Sequence, residues 1–150
     1  MAADSLRAQA IRLLARREYA RSELRGKLLA KGAASGEVES LLEELVGDGY
    51  LSDARCARET VERKSGDFAR RRIADALRAK GIARADIETA LAAAEIDDEA
   101  ALQALWQRRF GRVPVDERER ARQVRFLHGR GFAVSAILRL LREHHGSAES

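Results

Sequence analysis

Cysteine, proline and aromatic residues are all scarce in this 150-residue chain, and each shortage removes a class of protein. A single cysteine excludes an internal disulfide, and no Cys/His set has metal-ligand spacing. A single proline leaves long stretches free to be helical, with eleven glycines to end them. Aromatics at 5% offer little surface for stacking on unpaired bases. No run approaches the roughly 20 apolar residues that span a bilayer. The opening MAADSLRAQA lacks the apolar centre of a signal peptide, so a cytoplasmic protein is expected. Glycines stand singly rather than in GxxxxGK[ST] or GxGxxG runs, which argues against a phosphate loop. Strands have no support either, because apolar and polar residues do not alternate over any useful length.

What the chain does have is charge and helix formers. Apolar residues make up 45% and charged residues 35%, with Ala, Leu, Arg and Glu dominant. These residues lose little side-chain entropy in a helix. A repeat runs through them. AKG at 30–32 returns at 79–81, and GRG at 129–131 is a looser third copy, so Gly32, Gly81 and Gly131 share one phase. Around them Leu24, Leu28, Val38 and Leu42 match Ile73, Leu77, Ile87 and Leu91, with Leu127, Ile137 and Leu141 in register. Val38, Leu41, Leu42 and Leu45 follow the spacing of one helix face, as do Ile87, Ala90, Leu91 and Ala94.

The expected architecture is all-α, an elongated array of three tandem three-helix repeats. A leading helix near residues 5–17 and a first repeat fill 1–66; a second repeat fills 67–113 and a third 114–150. The only proline, in GRVPVDERE, places a linker near 111–116. Asp116 there can cap the next helix, with Glu119 as its capping-box partner.

Charge keeps the same rhythm. Net charge is +5 over residues 1–32, −6 over 33–62, +6 over 63–84, −6 over 85–107 and +5 over 108–150. The modest formal charge of +4 therefore hides three basic blocks at one phase of the repeat. If the units stack, those blocks line one surface. The candidate partner-binding cations are Arg16, Arg17, Arg21, Arg25, Lys27 and Lys31 in the first block. Arg70, Arg71, Arg78 and Lys80 follow in the second, and Arg122, Arg125 and Arg130, with Arg118, in the third. Their forked guanidinium groups suit phosphates or carboxylates. Two partners fit: a nucleic-acid backbone, or an acidic protein surface that itself repeats.

Catalysis has no support. His128 sits at a helix end, and His144 and His145 are adjacent, so they cannot share a helix face as two metal ligands. In GYLSDARCAR (49–58), Asp53 and Cys56 are three apart, but no histidine is near in sequence to activate the thiol. Cys56 reads instead as a small core residue. Ser52 reads as a helix N-cap, and Tyr50 and Leu51 are expected to tuck into the core. No metal, cofactor or catalytic residue is expected.

Four segments in order, LLARREYARSELRGKLLAKG (13–32), GYLSDARCAR (49–58), RRIADALRAKGI (71–82) and RFLHGRGF (125–132), resemble the successive signature segments of the RecX regulatory proteins. The resemblance implies an all-helical chain of three tandem three-helix repeats that binds the RecA recombinase. It implies a modulator, mostly an inhibitor, of RecA filament growth, ATPase and strand exchange in recombination, DNA repair and the SOS response. Family members are thought to lie in the groove of the RecA–DNA filament, and many also bind single- or double-stranded DNA. They carry no cofactor. Two positions depart from the family pattern: Ala20 stands where Ser is common, with Ser22 as a substitute cap, and Cys56 stands where Phe is common. The rival reading is a sequence-nonspecific DNA-binding repeat protein. A monomer that fits a groove is expected.

Overall fold

The computed structural model describes residues 5–148, with side chains through residue 146. Among these residues nine α-helices form and no strand: α1 (Leu6–Arg16), α2 (Arg21–Ala30), α3 (Ser35–Gly47), α4 (Asp53–Lys64), α5 (Arg70–Ala79), α6 (Arg84–Ala93), α7 (Asp98–Arg109), α8 (Glu117–Gly129) and α9 (Val134–Ala148). The repeating apolar positions form the core. Leu24, Leu28, Val38 and Leu42 pack together with Ala10 of α1. Ile73, Leu77, Ile87 and Leu91 pack with Ala57 and Val61 of α4. Leu127, Ile137 and Leu141 pack with Leu105 and Trp106 of α7. Each buried Leu or Ile contributes about 1.5–3 kcal/mol relative to exposure.

Three clusters mean three triplets, α1–α3, α4–α6 and α7–α9, and every closely packed helix pair lies within one of them. This phase differs from the division 1–66, 67–113, 114–150. Cuts at those points separate α4 from α5 and α7 from α8, helices that share a core. The physical reason is that the glycine turn sits between the second and third helices of a unit, so the helix before each pair belongs with it. α1 is thus the first helix of a repeat rather than a leader. The stretch around Pro114 joins α7 to α8 inside the third repeat.

Capping follows the same order. First helices cap themselves: the side chains of Ser5, Ser52 and Asp97 accept amide hydrogens from Ala8, from Arg55, and from Glu99 and Ala100. The second helices α2 and α5 follow alanine N-caps, Ala20 and Ala69, which cannot. The chain solves this across the repeat boundary. Asp53, in the first turn of α4, accepts the Arg21 N–H at the start of α2 (2.7 Å). Asp98, in the first turn of α7, accepts the Arg70 N–H at the start of α5 (2.9 Å). In the third repeat Asp116 caps α8 from within, at 2.8 Å from the Glu119 N–H. Glu119 itself reaches the Val115 N–H (3.3 Å), one residue before the expected capping-box partner.

Ala20 and Ala69 are the other half of each junction. Both precede a second helix, both are buried, and each is grouped with the core of the next repeat. Asp53 therefore does what Ser22 was expected to do, and a small residue at position 20 lets the next core come close. The αL glycines complete the fit. A Cβ on Gly81 (φ +77°) would lie 3.1 Å from Ser22 Cβ, and one on Gly131 (φ +97°) 2.6 Å from Arg72 Cβ. Gly32 also has a positive φ (+92°), but nothing lies within 4 Å of a Cβ there.

Candidate functional site

Most of the predicted cations lie on the second helix of a repeat or at its C-cap, while Arg16 and Arg17 end α1, and the buried stripe of each second helix aims its own cations outward. In α5 that stripe is Ile73, Ala74 and Leu77, with Ala76 only partly covered. Arg70, Arg71 and Arg72 are exposed and their side chains have no partner among the described residues. The same holds for Arg16, Lys27 and Lys31 in the first repeat and for Arg118, Arg122 and Arg125 in the third. Arg112, Arg118, Arg122 and Arg125 line one open groove with Asp116 and Glu119.

The remaining candidates are engaged within the chain. Arg25 binds Glu39, and Arg21 reaches Glu39 and Glu43 at 3.4 and 3.6 Å. The Arg25 hydrogen bond, before any other contact, holds the Glu39 carboxyl below its usual range. Arg17 lies over the Tyr19 ring (3.7 Å) and binds Glu23 at 3.4 Å. Lys80 pairs with Glu23 across the first junction (3.7 Å), and Arg78 pairs with Asp75. Arg130 stacks on Phe68 and Phe126 at 4.6 and 5.0 Å and donates to the Asp67 carbonyl. Pairs of this kind at or near the surface add little stability, because water screens them. Their effect is to take charge off the surface, so the basic face is narrower than the sequence blocks.

Two cations absent from the sequence-based set, Lys64 and Arg72, join it. Lys64 ends α4 with its ammonium 4.6 Å from the Phe68 ring centre, the ring that Arg130 also covers. Its pKa is lowered, first by burial and then by Arg63, Lys80, Arg72 and Arg130. The periodicity of α4 and α5 gives no hint of this meeting.

The stretch 49–58 is scaffold. Leu51 is buried as expected, but Tyr50 lies 45% exposed, where Arg7 covers its ring. Cys56 is 1% exposed, and burial pushes its thiol pKa up, the opposite of an activated nucleophile. Asp53 is committed to the α2 cap. His128 bonds the Phe132 carbonyl and His144 lies on Trp106. A mostly apolar hollow of about 200 Å³ between α7 and α9 is below the usual size of a ligand pocket. Among the described residues no group of three or more His, Cys, Asp or Glu is placed to hold a metal ion. No described helix is long and apolar enough to cross a membrane.

Family models for RecX match the chain in three consecutive pieces: the first three-helix domain over residues 7–45, the second over 52–91 and the third over 97–141. The chain belongs to the RecX family. Those spans coincide with the three RecX triplets seen in the packing, α1–α3, α4–α6 and α7–α9. A "Regulatory protein RecX" of Pseudomonas syringae pv. tomato is 43% identical over 139 residues, covering 91% of this chain and 90% of the relative. One from Chromobacterium violaceum is 40% identical over 143 residues, covering 94% and 93%. The crystal structure of RecX from Lactobacillus salivarius shares the fold with a TM-score of 0.66 at 18% identity, over 93% of this chain and 94% of that one. A second crystal structure of a regulatory protein RecX has a TM-score of 0.67 at 23% identity, over 92% and 72%.

Proposed function

We propose that this RecX family member binds the RecA–DNA filament and restrains it, slowing filament growth, ATP hydrolysis and strand exchange. The observation that carries this reading is the row of unpartnered cations on the second helix of every repeat. Lys27 lies on α2, Arg70 and Arg71 on α5, and Arg122 and Arg125 on α8. A filament repeats its own acidic and phosphate groups, and a repeating cationic face is matched to such a target. Steric and electrostatic occupancy suffices, without a covalent step, so the chain acts as a regulator and not as an enzyme.

Charge reversal tests it. Arg70→Glu with Arg71→Glu leaves the buried stripe of α5 untouched, so circular dichroism should be unchanged. Inhibition of RecA ATPase should fall at least tenfold, since each reversed contact costs about 1 kcal/mol or more. Undiminished inhibition by the double variant would remove α5 from the interface.

A further inference from the structure

The two repeat junctions are built alike but charged oppositely. Tyr19 and Phe68 each stand two residues before a second helix, Glu23 and Arg72 are each its third residue, and Lys80 and Arg130 each precede the glycine that packs on it. In the first junction Glu23 serves three groups. It accepts the Ala20 N–H (2.9 Å), binds Arg17 on the Tyr19 ring (3.4 Å) and pairs with Lys80 of the next repeat (3.7 Å). In the second junction that carboxylate is replaced by Arg72. The Ala69 N–H turns to the Arg130 carbonyl instead (2.9 Å), Lys64 and Arg130 both lie over the Phe68 ring at 4.6 Å, and Arg72 packs against Gly131, the residue after Arg130.

Nearby acids do not neutralise them. The Asp67 carboxylate binds Arg108 (2.8 Å) and Asp98 caps α5. α5 is also the only one of the three second helices without an acidic residue in its first turn, where α2 has Glu23 and α8 has Glu117 and Glu119. An arginine here forfeits a capping box, an ion pair and a favourable dipole contact at once. Such a local loss, at a site whose twin shows the stable solution, marks function.

We propose that Lys64, Arg72 and Arg130 form a phosphodiester-binding cradle at the junction of the second and third repeats. The Ala69, Arg70 and Arg72 amides are already used, so the cradle is built from side chains. Carboxylates in this chain are satisfied by one or two cations, as at Glu39 and Glu23. Three cations arriving from α4, α5 and the end of α8 suit a tetrahedral phosphate, whose oxygens face several directions. The cradle deepens the filament reading, because it assigns the DNA strand of that filament to this junction.

Arg72→Glu tests it, since that variant should rebuild the first junction's ion pair in the second. Its Tm should rise, while affinity for a fluorescent oligonucleotide should fall at least tenfold and the salt dependence should flatten by about one phosphate contact. Arg84→Glu, an equal charge change at a 90% exposed side chain, is the control and should shift affinity by less than about threefold. Equal losses in the two variants, or no oligonucleotide binding by the wild type at low salt, would overturn the cradle. So would a polyglutamate peptide that binds as tightly as the oligonucleotide and loses as much. If Arg72→Glu fails to fold, Arg72→Gln is read against the same control. RecA ATPase inhibition, measured in parallel, separates the two readings: inhibition with an unaltered oligonucleotide affinity sinks the cradle alone, and the converse sinks the filament reading alone.

Discussion

Replacing each repeat glycine by alanine separates backbone strain from junction packing. All three glycines have positive φ, at +92°, +77° and +97° for Gly32, Gly81 and Gly131, so each alanine carries a strain of about 1 kcal/mol. What differs is the neighbour. At Gly32 the new methyl meets nothing within 4 Å, and strain is the whole cost. At Gly81 it lies 3.1 Å from Ser22 Cβ, a contact relieved by a shift of a few tenths of an ångström. At Gly131 it would lie 2.6 Å from Arg72 Cβ and 3.3 Å from Ala69 Cβ, and two helices from different repeats must part. Overpacking of that kind adds about 1–3 kcal/mol. For a chain of this size the loss in Tm should be about 2–4 °C for Gly32→Ala and about 4–16 °C for Gly131→Ala, with Gly81→Ala between. Thermal melts followed by circular dichroism read the series. Equal losses at 32 and 131 would mean that the second and third repeats do not meet through this glycine.

Glu95 ends the α6 region at φ +50°, a left-handed conformation that a side chain resists, so Glu95→Gly should stabilise the protein by about 0.5–1 kcal/mol in urea denaturation. No gain would place that turn in another conformation. Cys56 should react with a thiol reagent at pH 8 at least about a hundredfold more slowly than a model thiol, because burial both shields it and raises its pKa. Labelling should track unfolding of the second repeat, and fast labelling of the native protein would contradict the packing of α4.

Much of the fold is legible in the sequence because its signals are local. The glycines and the apolar stripes each fix a turn or a helix face within a dozen residues, and Leu24, Ile73 and Leu127 are buried as their spacing implies. Grouping is less legible. A repeat in sequence has no marked origin, and only the clusters show that Ala57 and Val61 belong with Ile73 rather than with Leu42. The site is least legible, since it depends on pairs far apart in the chain. Asp53 reads as a first-turn carboxylate of its own helix, yet its bond to Arg21 spans 32 residues. Arg21 and Arg25 count as free charge in a block until Glu39 is brought beside them. Lys64 and Arg72 stand eight residues apart with no helical relation, and Arg130 lies far downstream. Tyr50 illustrates the converse, an aromatic that sequence places inside but that a cation covers at the surface.

The central claim is that the target is a RecA–DNA filament and not DNA as such. Binding of the wild-type protein to RecA filaments and to bare single- and double-stranded DNA, at equal salt near 0.15 M, tests it most directly. The account predicts tighter association with the filament at every salt concentration, with a shallower salt dependence than on bare DNA. Equal affinity for the filament and for bare DNA would contradict it and leave a sequence-nonspecific DNA-binding protein.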